Sequence, residues 1–277
     1  MAPLAETGPL IISVENRAYD LHRPHGCTVL LLERRDWPGN EFGFWLPESV
    51  ASWGNWQGER SLQDWKMSAD GRGECLQRID EGELFSTFTV NREGDALWFD
   101  TTVTNKTDRT LTNVPVQSCF HFVNAPEFIS VRGERLWACL DGAWTTTDTA
   151  PRHASLDPRR VRFHREGTRP NREIVHITDF PQSIMPEAAC HPLFITESFG
   201  RKRSVGVACE NYSHLFNNND CILRCLHSHP HPIAELPPGG SDSRRGVVVF
   251  CDGDHEALLR RYEELVPAGK WPGTASV

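Results

Sequence analysis

The stretch LFSTFTV-NREGD-ALWFDTTVT, residues 84–104, carries the strongest structural signal in the chain. Its outer parts are rich in β-branched and aromatic residues, and the five residues between them form a connection of the length seen in β-hairpins. In residues 96–104, Leu97, Phe99, Thr101 and Val103 alternate with Trp98, Asp100 and Thr102. This period of two places one set of side chains on a core face, so the stretch predicts two antiparallel strands.

The same pattern recurs along the chain, where short apolar runs alternate with Gly, Pro, Asn and Asp. Further strands are predicted at residues 27–33, 114–123, 204–210, 222–227 and 246–251. Strands that follow one another with little helix between them favour an antiparallel sandwich. One helix is predicted near the C-terminus, because Asp254 can cap it and Pro267 and Gly269 can end it. We therefore expect an all-β chain, a large antiparallel β-sandwich with a short C-terminal helix, in which residues 1–277 form a single domain.

Composition and charge narrow the class of protein. The net charge of −8 argues against a nucleic-acid partner, because such proteins neutralise phosphates, and fits a protein that acts on a small molecule. No apolar run is long enough to cross a bilayer, and the first residues lack the features of a signal peptide, so no membrane association is expected. The nine cysteines are spread along the chain, which favours a reducing cytoplasm. The oligomeric state stays open.

The densest polar cluster is CLHSHPHP, residues 225–232. His227 and His229 are two residues apart and would project from the same face of a strand. With His121 as a third ligand they could hold a divalent metal such as zinc, and Glu197 or Glu210 could supply a carboxylate. The same histidines could act as acid and base without a metal. Alternatively, they only form hydrogen bonds with loop backbone.

Tryptophans and arginines supply candidate substrate-binding residues. Trp45, Trp53 and Trp56 lie close together among glycines, so they could stack on sugar rings, or they could simply fill the core. Residues 151–172 contain seven arginines, including Arg162, and are the least strand-like region. They are either a solvated surface loop or an edge that binds an anionic ligand, such as a carboxylated or sulfated sugar.

Two segments resemble the aldose 1-epimerase (galactose mutarotase) superfamily. The first is FDTTVTNKTDR, residues 99–109, followed by CFHF, residues 119–122, and the second is AELPPGG, residues 234–240, followed by RGVVVF, residues 245–250. The resemblance covers about a fifth of the chain and implies a large supersandwich that binds a sugar on its concave face. It also implies that His121 lines the site. Arg109 closes the first segment and is a further candidate substrate-binding residue.

The sequence departs from the family pattern at the general base. The glutamate expected before the Pro-Gly-Glu turn is absent where this chain has Leu226 to His229, and Gly240 replaces the last glutamate of that turn. The expected function is therefore binding of a sugar or oligosaccharide. Epimerisation or lyase-type proton abstraction would be carried out by His121, His227 and His229, with either no cofactor or a divalent metal. The alternatives are a non-catalytic carbohydrate-binding protein and a subunit of a larger sugar-processing complex.

Overall fold

A computed structural model describes most of the chain. It covers residues 5–17, 27–50, 63–68, 72–79, 82–148, 160–169, 174–177, 180–218 and 224–271. In chain order, the strands of these residues are β1 (Ala5–Thr7), β2 (Leu10–Arg17), β3 (Cys27–Arg34), β4 (Glu41–Val50), β5 (Lys66–Met67), β6 (Gly73–Ile79), β7 (Gly82–Val90), β8 (Ala96–Asn105), β9 (Leu111–Val114), β10 (Val116–Asn124), β11 (Leu136–Leu140), β12 (Ala143–Thr146), β13 (Arg160–His164), β14 (Ile174–Ile177), β15 (Phe180–Ile184), β16 (Phe194–Glu197), β17 (Arg203–Cys209), β18 (Tyr212–Asn218), β19 (Cys225–Pro230), β20 (Ile233–Leu236) and β21 (Ser241–Asp252). Short 3-10 turns lie at Pro126–Phe128 and Pro267–Gly269.

Two large sheets and one small one organise these strands. The ten-stranded sheet has the order β1-β2-β3-β4-β10-β19-β18-β13-β15-β14, and the nine-stranded sheet has the order β12-β11-β16-β17-β21-β8-β7-β6-β5. The strands β9 and β20 form a separate pair. Neighbouring strands are antiparallel in the pairs described, with the exception of β13 and β15. The predicted antiparallel β-sandwich is thus confirmed.

The hairpin predicted at residues 84–104 is present as β7 and β8. Val90 lies opposite Leu97, and the side chain of Asn91 closes the connection by accepting hydrogen bonds from the backbone N–H groups of Asp95 and Ala96 at 3.1 and 2.9 Å. Gly94 has a φ of 67°, a left-handed conformation that glycine adopts without strain. Local turn chemistry therefore fixes the register of this pair.

The core between the two large sheets is strongly aromatic. Trp37 stacks on Phe128 with ring centroids 5.7 Å apart and meets Phe250 edge-on at 5.9 Å. The indole N–H of Trp37 donates a 2.8 Å hydrogen bond to Oδ1 of Asp252. Aromatic pairs of this kind contribute about 0.5–1.5 kcal/mol beyond their buried area. Phe42 of β4 also meets Phe250 of β21 edge-on at 5.6 Å, so the cluster joins strands of both large sheets.

The predicted C-terminal helix is confirmed as α1 (His255–Leu265). Oδ1 of Asp254 accepts a 3.0 Å hydrogen bond from the N–H of Ala257 and so satisfies one of the unpaired donors of the first turn. Leu258 and Tyr262 are buried with Val247 of β21. The helix thus covers the nine-stranded sheet on the side away from the main core. Among the described residues, no helix has the length and apolarity needed to span a membrane.

The interpretation of the arginine-rich region as a loop is wrong for residues 160–164. These residues form β13, in which Val161 and Phe163 enter the core and Arg162 is itself buried. The density of positive charge concealed the alternation of two apolar side chains with the arginines. Other residues of that region, including 151–159, lie outside the described part of the chain.

Candidate functional site

Among the side chains that the structure describes, five histidines project from the side of the ten-stranded sheet that faces away from the core. Successive side chains of a strand point to opposite faces, and Leu215 of β18 and Leu226 of β19 point into the core. Their neighbours in sequence therefore point the other way. We call this surface the imidazole face; it consists of His121 of β10, Arg162 and His164 of β13, His214 and Phe216 of β18, His227 and His229 of β19, and Trp45 of β4.

Four of these imidazoles form a continuous stack across three strands. The ring centroids of His164 and His214 are 4.9 Å apart, those of His214 and His229 4.2 Å, and those of His229 and His227 5.2 Å. Strand register explains the stack, because His164 lies opposite His214 and His214 lies opposite His229. The two-residue spacing of His227 and His229 then extends it along β19.

Burial keeps the stacked imidazoles neutral. Desolvation lowers the pKa of His227 to about 3 and that of His164 to about 4, and it holds the pKa values of His214 and His229 well below the ordinary 6.5. The guanidinium of Arg162 lowers these pKa values further, since a nearby positive charge disfavours a second one. The guanidinium carbon of Arg162 lies 5.4 Å from the ring centre of Phe216, on the same face.

Polar groups lie close to both ring nitrogens of His227. Its Nδ1 lies 2.9 Å from the carbonyl oxygen of Ser118 and can donate a hydrogen bond to it, and its Nε2 lies 3.1 Å from Sγ of Cys225. Oε2 of Glu48 is 3.8 Å from the same Nδ1 and accepts a hydrogen bond from the side-chain amide of Gln117. A carboxylate therefore approaches a neutral imidazole in a buried site.

Some ring nitrogens of the stacked histidines have no hydrogen-bond partner among the described residues. Within the described residues, no partner is found for Nε2 of His214 or for Nε2 of His229. Buried polar atoms in folded proteins nearly always have a partner, which is often a ligand or an ordered water at a functional site. The imidazole face is thus equipped to bind a polar molecule.

The histidines predicted from the sequence lie on one face, but they do not form one cluster of ligand atoms. His227 and His229 stack on each other, as their spacing predicts. His121, on the neighbouring strand, packs against Trp45 with ring centroids 5.1 Å apart. In the described residues, the group whose ligand atoms lie within 4.8 Å of one another is Cys119, Cys225 and His227. The catalytic and metal-binding roles assigned to His121, His227 and His229 stay predictions.

The other predicted residues are scattered. Trp53 and Trp56 lie outside the described residues. Arg109 is exposed in the turn after β8, where its carbonyl accepts a 2.8 Å hydrogen bond from Asn105 Nδ2. Glu197 contacts His255 at 2.9 Å, and Glu210 pairs with Arg245 at 2.8 Å, so both carboxylates are engaged away from the imidazole face.

Sequence reasoning missed His164, His214, Phe216 and Glu48. The segment YSHLFNN, residues 212–218, contains a usable signal, because His214 and Phe216 alternate with the apolar Leu215. Glu48 gives no such signal, since its proximity to His227 depends on contacts across the sheet.

Comparison with known proteins identifies the fold. No protein-family model and no curated protein matches the sequence. Among solved structures, the Slr1438 protein of Synechocystis sp. PCC 6803 is 12% identical with a TM-score of 0.50, over 91% of this chain and 99% of that one. A galactose mutarotase-like protein from Lactobacillus casei ATCC 334 is 11% identical (TM-score 0.49, 89% and 99% coverage), and one from Clostridium acetobutylicum is 10% identical (0.47, 87% and 99%). The sandwich predicted from the sequence is thus an overall fold shared with the Slr1438 protein, and an identity this low extends no further than the fold.

Proposed function

We propose that the protein binds a carbohydrate, a sugar or a uronate, against the imidazole face. The observation that carries this proposal is the stack of neutral imidazoles with unpartnered nitrogens beside the guanidinium of Arg162. A neutral imidazole offers one hydrogen-bond donor and one acceptor. Sugar hydroxyls both donate and accept, so a row of hydroxyls is the natural partner of such a row of rings.

The solvent exposure of the imidazole face decreases from β13 and β18 toward β19 and β10, which indicates the side from which a ligand would enter. His214 is partly exposed, and so is Arg160, which begins β13 two residues before Arg162; His227 and His121 are almost completely buried, at 2% and 1%. A ligand would therefore approach along β13 and β18 and extend toward β19 and β10. Trp45, packed on His121, would form the floor at the deep end.

Arg162 favours a ligand that carries a carboxylate. A guanidinium presents donors in a planar fork that matches a carboxylate, and the pairing is stronger where water is excluded. Arg162 is buried, and the imidazoles around it are neutral. A guanidinium in this position would favour a carboxylate on the ligand, so we expect uronates to bind more tightly than the corresponding neutral sugars.

Proton transfer in an epimerase or lyase reaction is a second candidate, and the contact between His227 and Glu48 favours it. With a pKa of about 3, His227 is a weak base in the unliganded protein. A substrate carboxylate beside the stack would raise the pKa of these histidines, because an opposite charge stabilises the protonated ring. In that case His121, His227 and His229 would be the acid/base residues; otherwise the protein only binds its ligand.

Calorimetric titration with glucose, galactose, glucuronate and galacturonate tests the binding proposal. We expect saturable uronate binding that is lost in Arg162→Gln and weakened in His229→Gln. Arg245→Gln is the matched control, because Arg245 pairs with Glu210 on the other sheet. Absence of saturable binding, or equal binding by the wild type and Arg162→Gln, would contradict the proposal.

Product analysis then separates binding from catalysis. Proton NMR follows the approach of a pure anomer to equilibrium, and ultraviolet absorbance follows the unsaturated product of a lyase. An enzyme should lose turnover in His227→Ala while that variant stays folded, whereas a binding protein should show no turnover even as wild type.

A further inference from the structure

Two cysteines and one histidine of the ten-stranded sheet bring three metal-binding atoms together. One ligand atom each of Cys119, Cys225 and His227 lies within 4.8 Å of the others, and all three residues are buried. Neither cysteine forms a disulfide. Across the described residues this is the single group of three or more His, Cys, Asp or Glu side chains that meets this distance.

The register of β10 and β19 explains the convergence. Phe120 lies opposite Leu226 and His121 lies opposite Cys225, which places Cys119 across from His227. Because side chains alternate between faces, Cys119, Cys225 and His227 all project to the side away from the core. Two adjacent, paired strands therefore hold the three groups, and no loop is required.

His121 leans away from this group. A Cβ built on Gly43 would lie 1.9 Å from Cε1 of His121, so the imidazole occupies the space above that glycine. The ring also contacts Trp45, on the same strand as Gly43. Although His121 lies opposite Cys225, its side chain turns toward β4, which leaves the two thiols and His227 as the converging set.

A hydrogen bond orients the His227 ring for metal binding. Nδ1 lies 2.9 Å from the carbonyl oxygen of Ser118, so in the neutral ring Nδ1 carries the hydrogen and Nε2 carries the lone pair. Nε2 is the nitrogen that lies 3.1 Å from Sγ of Cys225. Metal-bound histidines in proteins usually donate their other ring N–H to a carbonyl or carboxylate in this way.

We propose that Cys119, Cys225 and His227 bind a thiolate-seeking metal cation, with Zn²⁺ as the ion to test. Zinc prefers thiolate and imidazole ligands, and a set of two cysteines and one histidine leaves a fourth position for an external ligand. Binding one Zn²⁺ converts both thiols to thiolates and releases two protons, so the charges of the ion and its ligands cancel. A neutral complex is suited to a buried site. The proposal does not depend on carbohydrate binding.

Zinc titration of the chelator-treated, full-length protein in competition with a chromophoric chelator tests the site. We expect the wild type to bind about one Zn²⁺ per chain and the Cys119→Ser, Cys225→Ser double variant to bind none. Cys139→Ser, Cys190→Ser is the matched control, because these thiols also contact each other but belong to no three-ligand group. Equal zinc binding by the wild type and the Cys119/Cys225 variant would overturn the proposal, and so would absence of binding by the wild type.

A second measurement needs no substitution and guards against misfolding of the double variant. Alkylation of the wild-type protein followed by mass spectrometry reports the reactivity of each cysteine. Cys119 and Cys225 are buried, so they react only when the sheet opens locally, and their modification is followed over hours. Zn²⁺ should slow this modification further and leave that of Cys139 and Cys190 unchanged, because coordination protects a thiolate beyond the effect of burial. Unchanged reactivity of Cys119 and Cys225, or a disulfide between them in the purified protein, would refute a metal site.

Discussion

Acidification from pH 7 to pH 5 should destabilise this protein through the histidines of the imidazole face. Burial lowers the pKa of His227 from its ordinary value of 6.5 to about 3. Between these two values the unfolded chain binds a proton that the folded protein does not. The free energy of unfolding is therefore fully retained above pH 6.5 and decreases as the pH falls through this window.

The size of the effect follows from the same pKa shift. Each proton bound only by the unfolded state lowers the free energy of unfolding by about 1.4 kcal/mol per pH unit. Between pH 6.5 and 5, His227 alone should contribute a loss of about 2 kcal/mol. His164, with a pKa lowered to about 4, acts in the same direction. Because the stacked rings interact, their contributions are not additive.

Urea unfolding of the wild type and His227→Gln at pH 7 and pH 5, in the presence of a chelator, isolates the contribution of one ring. The loss of stability between the two pH values should be about 2 kcal/mol smaller in the variant. Phe216→Leu is the control, because Phe216 lies 5.0 Å from His227 on the same face and does not titrate. An unfolding free energy of the wild type that is equal at both pH values, or a pH dependence unchanged in His227→Gln, would refute the reasoning.

Three substitutions test the surrounding structure by urea unfolding at pH 7. Gly43→Ala should cost about 1–3 kcal/mol and change Trp45 fluorescence, because the new methyl group displaces the His121 ring; a neutral effect would contradict this packing. Asp254→Ala should cost about 1 kcal/mol by removing the helix cap, and no loss would mean that the cap is dispensable. Tyr212→Phe should cost about 1–2 kcal/mol, since it removes the 2.8 Å hydrogen bond to the Ala189 carbonyl, and unchanged stability would show that this carbonyl finds another donor.

The strands could be predicted because their signals are local. Alternation in residues 96–104 and the turn residues 91–95 define β7 and β8 without reference to the rest of the chain. That His227 and His229 lie on the same face could also be predicted from a local signal, because it follows from their spacing of two residues. Asp254 likewise marks the start of α1 from its position in the sequence.

Which side chains meet in the candidate site depends on the order of the strands in the sheet, and no short stretch of sequence specifies that order. His164, His214 and His229 meet because β13, β18 and β19 are neighbours in the ten-stranded sheet. No pattern within any one of these strands specifies that order. The loop interpretation of residues 160–164 failed for a different reason: the charges of the surrounding arginines hid the alternation of Val161 and Phe163.

His227 links the two proposals, because it stacks on His229 and also belongs to the group with Cys119 and Cys225. A metal on Nε2 of His227 would prevent that nitrogen from accepting a proton from a substrate, so full zinc occupancy and acid/base catalysis by His227 exclude each other. Carbohydrate binding through Arg162 and His229 uses other atoms and is compatible with either state. Substitution of Cys119 therefore separates the possibilities: it removes a metal ligand while leaving every ring of the imidazole face in place. Turnover that requires Cys119 would indicate metal-assisted chemistry, whereas turnover that survives its loss and is abolished in His227→Ala would assign proton transfer to the imidazole.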